Sequence, residues 1–326
     1  MRSFLKPVSL TLMFLLAGWS GRAAADDGKR YQIAVIPKGT THIYWKTLHA
    51  GAAKAAKDLG VDIFWVGPET EDDRKQQIEV VQNFISRKMD AIVLAPLDDK
   101  ALVVPVEEAT KRGIPVVIID SALQSDVQVS FVATINKEGG RKGADQLGKV
   151  MGGKGKALML RYLEGSASTA DREEGFLDEM AKKFPDIQIV SSNQYAGATK
   201  EEALQASQNI LNKFPDVDGI FCPNESTVFG MLRALQVSGK AGQVKFVGFD
   251  TDKDLLEGLK TGAINGLVSQ DPFNMGYEGV KAAVDHLNGK KVDPRIATRL
   301  LMVTKENMND PKVKEVIYPD VDKWLK

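Results

Sequence analysis

Cysteine is almost absent: Cys222 is the only one in 326 residues. That excludes an internal disulfide framework and any zinc site built from several thiolates. Histidine is scarce as well, with only His42, His49 and His286, and no HExxH or CxxC spacing occurs, so neither a metal nor a cofactor is expected. Charge of one sign is not in excess, since 43 basic side chains face 43 acidic ones. Setting aside Arg2, Lys6 and Arg22 at the N-terminus leaves 40 against 43, a net charge of −3. Without a concentrated basic block, a nucleic acid or an anionic membrane is not an expected partner. No GxSxG and no Ser/His/Asp arrangement can be traced, and Gly152-Gly153-Lys154-Gly155-Lys156 lacks the GxxxxGK[ST] order and reads as a turn. Heptads, low-complexity tracts and short repeats are missing too. What remains is 43% hydrophobic and 26% charged residues, ample for large cores, over a length that suggests two domains.

Long hydrophobic runs are confined to the N-terminus. Arg2 and Lys6 flank the start of an apolar run at 8–19, and Ala23-Ala24-Ala25 supplies small residues before Asp26. This is the pattern of an export signal over residues 1–25, cleaved from a soluble mature chain. The run falls short of the about 20 residues that span a bilayer, and no cysteine follows it to carry a lipid. A periplasmic location is expected.

Beyond it the chain alternates short apolar runs with amphipathic stretches of helical length. Strands are predicted at 31–36, 61–66, 90–95 and 115–119, with helices at 44–59, 71–87 and 100–112 between them. The grammar restarts after Asn136, with strands at 156–160, 187–190, 219–222 and 244–249 and helices at 169–184, 200–214, 226–238 and 253–261. Near-continuous apolar strands separated by helices indicate parallel sheets covered on both faces, here two doubly wound α/β lobes. In such sheets ligands bind beyond the carboxyl ends of the strands. The residues there are Pro37 to Trp45, Asp120 and Ser121, Glu164 to Arg172, Pro223-Asn224-Glu225, Asp250 and Gln270. They are rich in planar hydrogen-bonding groups and aromatics and poor in nucleophiles paired with bases.

Six segments carry a family likeness in register: IAVIPKGTTHIYWKTLHAGAAKAAKDLG, VVIID, SASTADREEGF, FCPNESTVFGMLRAL, VGFD and LVSQDP. Together they resemble the periplasmic sugar-binding proteins of ABC importers, specifically the ribose-binding type, over about residues 29–305. The resemblance implies the type I periplasmic binding protein fold, two doubly wound lobes joined by a three-strand hinge, with a sugar or polyol bound in the cleft. It implies an ABC permease and ATPase complex as partners, and no catalysis. Carried over by motif, the ligand-binding residues are His42 (where an asparagine is usual), Tyr44, Trp45, Asp120, Arg172, Asn224, Asp250 and Gln270. The expected lobes are 29–133 with 271–296 and 134–270 with 297–305, followed by a tail at 306–326. An alternative role is a sensor that presents its liganded form to a chemoreceptor or sensor kinase.

The chemistry of these side chains suits a sugar. Each buried hydroxyl must exchange water for a protein partner, because leaving one unpaired costs about 1 to 3 kcal/mol. Asp120 and Asp250 accept hydroxyl hydrogens, Asn224 and Gln270 both donate and accept, and Tyr44 and Trp45 offer planes to the C–H faces of a ring. Blander readings exist for each. The aromatic pair could be core packing, Asp120, Asn224 and Asp250 could be turn or helix-cap residues, and Arg172 could pair with Asp171 or Glu173. A related repressor would need an N-terminal DNA-binding headpiece where this chain has an export signal, and a glycosidase would need an acid and a base across one scissile bond.

Overall fold

Strand alternation builds two sheets in a computed structural model that describes residues 30–325. The expected export signal lies outside the described residues. Among those described, no helix is long and apolar enough to cross a membrane. With strands numbered in chain order, the first sheet takes β1 (Gln32–Ile36), β2 (Asp62–Trp65), β3 (Ala91–Leu94), β4 (Val116–Ile119) and β5 (Ser130–Ala133), and later β11 (Arg295–Ala297). Its order is β11-β5-β4-β3-β1-β2, and every pairing is parallel. The second sheet takes β6 (Gly155–Arg161), β7 (Ile187–Tyr195), β8 (Gly219–Phe221), β9 (Lys245–Phe249), β10 (Gly266–Gln270) and β12 (Leu300–Val303). Its order is β12-β10-β9-β8-β6-β7, parallel except for β12 against β10.

Successive residues of a strand face opposite sides, so a sheet buried on both faces needs apolar residues at every position. In β1, Ile33 and Val35 enter a core with α1 (Ile43–Leu59) and α9 (Pro272–Leu287), while Ala34 and Ile36 enter another with α2 (Arg74–Ser86) and α3 (Val103–Lys111). The second sheet repeats the plan. Its Ala157, Met159 and Val247 meet α4 (Asn136–Val150) and α5 (Ala167–Lys183). On its other face, Leu158, Ile220 and Phe246 meet α6 (Lys200–Lys213), α7 (Glu225–Val237), α8 (Lys253–Thr261) and α10 (Pro311–Ile317).

The predicted helices and strands appear, with instructive differences. β5, β11, α4 and α10 are not among the predicted elements. α4 carries glycine at 139, 140, 143 and 148, a composition that intrinsic propensity disfavours in a helix; a Cβ on Gly140 would sit 1.9 Å from the Arg172 carbonyl oxygen, so the glycines are what let α4 lie against α5. α2 begins at Arg74, not 71, because Asp73 caps it by accepting from the Gln76 N–H, which leaves Glu71 in a loop. α1 and α9 approach as closely as α4 and α5. A Cβ on Gly51 would lie 1.8 Å from the Phe273 carbonyl oxygen, and one on Gly276 would lie 2.1 Å from that of Leu48. Gly51→Ala is therefore expected to lower unfolding free energy by about 1 to 3 kcal/mol by forcing the helices apart. Urea denaturation reads this directly, and an unchanged midpoint would show that the helices separate freely.

The chain crosses between the sheets three times, after β5, after β10 and between β11 and β12. The crossings are tied together by hydrogen bonds, those among the threonines and Gln270 buried. Thr134 Oγ1 donates to Gln270 Oε1 at 2.8 Å and lies 3.3 Å from Thr298 Oγ1, while the Arg295 guanidinium donates to the carbonyls of Phe131, Ala133 and Thr134. After these crossings α10 packs Val313 and Ile317 into the second sheet's core. The last residues then turn to α1, where Lys54 and Lys57 each approach the Trp324 ring at 5.5 Å.

Candidate functional site

All eight residues expected from the sequence line one small cavity where the carboxyl ends of the two sheets face each other. His42 ends the loop after β1, and Tyr44 and Trp45 form the first turn of α1. Asp120 follows β4 and Asp250 follows β9, each at the end of the fourth strand in its own sheet. Both adopt left-handed backbone, φ 63° and 68°, a conformation costly for most side chains and tolerated by aspartate. The N–H of each is held by the neighbouring strand, Asp120 by the Val132 carbonyl and Asp250 by that of Val268. Neither is a helix cap, since α8 is capped by Asp252. Asn224 precedes α7 without capping it. Its side chain instead meets the hydroxyls of Ser226 and Thr227. Arg172, on α5, is buried, donates to Asn136 Oδ1 and the Pro223 carbonyl, and stacks 4.2 Å from the Phe249 ring centre. Its neighbour Glu173 pairs with Arg161 instead.

The cavity also gathers residues that sequence reasoning did not single out. Lys38 is 3% exposed, with Nζ 3.0 Å from both Asp120 Oδ2 and Ser168 Oγ. Glu71 pairs with His42 Nδ1 at 2.7 Å and accepts from Trp45 Nε1 at 2.8 Å. Trp45 is 2% exposed and meets Tyr44 edge-on, so its indole both fills the first core and braces the site. Glu225 accepts from the Tyr44 N–H and pairs with Lys200 at 3.1 Å. The buried Tyr162 hydroxyl lies beside the Glu71 carboxylate. Lys38, Ser168 and Glu225 lie in strand-end segments already marked. Tyr162 directly follows β6, just ahead of the marked Glu164 to Arg172, and Glu71 sits in the loop after β2, so starting the former segment two residues earlier and applying the strand-end rule to β2 would have found both.

Electrostatics follow from burial and pairing. Burial alone would lift the Glu71 carboxyl and depress the His42 imidazole. Their mutual ion pair reverses both, holding Glu71 at about 2 and raising His42. Burial dominates at Asp250, pushing its carboxyl up to about 6 against the pull of Arg172 and the hydrogen bond from Gln270 Nε2. Burial, then the nearby Asp120 carboxylate, raises the Tyr44 phenol well above its usual range.

Contacts cross the cavity between the two sheets' loops. Lys38 reaches Ser168, the Ser168 N–H donates to Ser121 Oγ, the Asp99 N–H donates to the Gly165 carbonyl, and Arg74 donates to the Glu164 carbonyl. The cavity's volume of about 30 Å³ has room for about two water molecules and not for a sugar ring. Among the described residues no cluster of histidine, cysteine and carboxylates has the makings of a metal site.

Residues 33–291 match the periplasmic binding protein domain. The D-allose-binding periplasmic protein of Escherichia coli (strain K12) is 30% identical over 303 residues, covering 90% of this chain and 94% of that protein. The ribose import binding protein of Bacillus subtilis (strain 168) is 29% identical over 92% of this chain and 98% of its own length. Among solved structures, a carbohydrate transporter solute binding protein from Agrobacterium radiobacter, in complex with D-arabinose, superposes with a TM-score of 0.85 at 38% identity, covering 88% of this chain and 99% of that one. A solute binding protein of an ABC transporter from Agrobacterium vitis, with bound D-fucose, gives 0.85 at 36%, covering 88% and 100%. The fold, the cavity between its two sheets and these likenesses agree: the chain belongs to the periplasmic binding protein family, in its branch of sugar-binding proteins of ABC importers.

Proposed function

We propose that this chain captures a neutral sugar between two lobes, closes on it by hinge bending and delivers it to an ABC permease and ATPase complex. The lobes are 29–133 with 271–296 and 134–270 with 297–305, a division supported by the sheet each segment joins. The observation that carries the reading is charge balance in a hydroxyl-seeking cavity. The carboxylates of Glu71, Asp120, Glu225 and Asp250 are matched by His42, Lys38, Lys200 and Arg172, so an anionic or cationic ligand would leave a buried charge uncompensated. Asp120, Asp250, Asn224, Gln270, Arg172 and His42 supply the hydrogen bonds, and Tyr44 and Trp45 the aromatic surface. Export through the 1–25 signal would place the mature chain in the periplasm.

Calorimetric titration tests the reading with D-ribose, D-allose, D-arabinose and D-fucose, beside D-galacturonate as a charged control. At least one neutral sugar binds and the acid does not. Preference for the acid, or binding of none, sinks it. Closure has its own readout. The three tied crossings flex, and ligand shifts the population towards the closed form by its higher affinity for it, so saturating sugar is expected to shrink the radius of gyration in small-angle scattering. Identical curves with and without a bound sugar would count against closure.

A further inference from the structure

Beside the small cavity lies a much larger space. A chamber of about 570 Å³ is walled by Ile43 and Thr47 at the start of α1 and by Leu256 on α8, with Val316, Tyr318 and Val321 of the C-terminal segment as its roof. Its volume falls in the range of small-molecule sites, roughly 300 to 1,000 Å³. Three side chains, Tyr44, Asp250 and Gln270, line both the chamber and the sugar cavity. Tyr44 belongs to the first sheet's side, and Asp250 and Gln270 to the second's. These three side chains form the partition between the two spaces. The chamber is mainly apolar inside. Its charged residues are Asp250, Asp252, Asp254 and Glu257 against Lys253 and Lys260, a lining that disfavours an anionic group.

We propose that the chamber receives the substituent of a substituted sugar. This rests on the sugar reading above and extends the ligand class to glycosides with an apolar aglycone. The ring is held by Asp120, Asp250 and their neighbours, and the substituent is laid through the partition beside Tyr44 and Gln270. A glycosidic oxygen has lost its hydrogen and can only accept, so the ring's remaining hydroxyls must satisfy both aspartates, and the substituent gains by burying apolar surface against Ile43, Leu256 and Val321. The C-terminal segment acquires a role here: α10 anchors it on the second sheet's core, and Trp324 lays it on α1, so the roof closes with the lobes.

The test uses the tightest-binding free sugar among D-ribose, D-allose, D-arabinose, D-fucose and D-tagatose, beside its methyl and phenyl α- and β-glycosides. Calorimetric titration is expected to show one phenyl anomer binding about tenfold more tightly than the matching methyl glycoside. Ile43→Trp and Val321→Trp fill the chamber from opposite walls. Each is expected to abolish that difference while leaving the free sugar's Kd and the thermal unfolding midpoint within error of the parent protein. Exclusion of both phenyl anomers by a protein that binds the free sugar overturns the proposal and leaves the sugar reading intact. A phenyl preference that survives both fillings also overturns it. Failure of every free sugar in the panel overturns the parent reading and this one together.

Discussion

Asp120→Asn is expected to weaken sugar binding at least tenfold and to cost the fold about 3 to 5 kcal/mol, the cost of leaving a buried charge without its partner. Asparagine keeps the shape of the side chain and tolerates the left-handed backbone at this position, so the change isolates the charge. Lys38 and Asp120 each have side chains 4% exposed and meet at 3.0 Å. With the carboxylate gone, the ammonium keeps only serine hydroxyls, at 3.0 and 3.4 Å. The Tyr44 hydroxyl, which donates to Asp120 Oδ1 at 2.8 Å, still finds an amide oxygen. Lys38→Met should be costly for the converse reason. Combining Lys38→Met with Asp120→Asn should recover much of the stability, because no unpaired charge remains, yet none of the affinity, because an amide donor still replaces one of the two accepting oxygens. Urea unfolding and calorimetric titration of the three variants close the cycle. Strictly additive stability losses would falsify the ion pair's role.

The contrast between Asp120 and Lys38 shows what could be read from the sequence. Asp120 stood out because it ends an apolar strand and matches a family motif. Lys38 lay in a marked segment, but a lysine on a loop normally keeps its charge in water. Its burial depends on Asp120 some eighty positions away and on Ser168 from the other sheet, pairings that arise only when the lobes meet. Glu71 was hidden differently. It reads naturally as the start of a helix, and only the cap at Asp73 places it in the loop where His42 and Trp45 can share it. The α4 helix was missed because its glycines spoil the propensity signal, although those glycines exist to serve its packing. The strands were legible because burial on both faces writes itself into every position. The site's second layer was not, because each of its members is polar for a partner distant in the chain.

Asp250 should give this protein two opposite responses to pH. Its folded-state carboxyl is raised to about 6, above the value near 4 usual for an unfolded chain. Between these values the folded form holds a proton that the unfolded form has released, so stability falls as pH rises through that window and is level above about 6. A displacement of about two units corresponds to roughly 3 kcal/mol. Sugar binding runs the other way. The ring hydroxyls need the carboxylate as acceptor, and it also receives the Glu225 N–H and the Gln270 amide, facing Arg172 on one side and the charges of Glu225 and Asp120 on the other. Affinity should therefore drop about tenfold between pH 7 and pH 5, with Glu71, at about 2, staying ionised throughout. Asp250→Asn should bind weakly and flatten the drop, because the titrating group is gone. Kd measured from pH 5 to 8 on both proteins decides it, and a wild-type profile flat to pH 5 would show that Asp250 does not accept from the ligand. Burial disfavours the ionised form at this position, and a hydrogen bond acceptor for a sugar is what such a carboxylate offers in return.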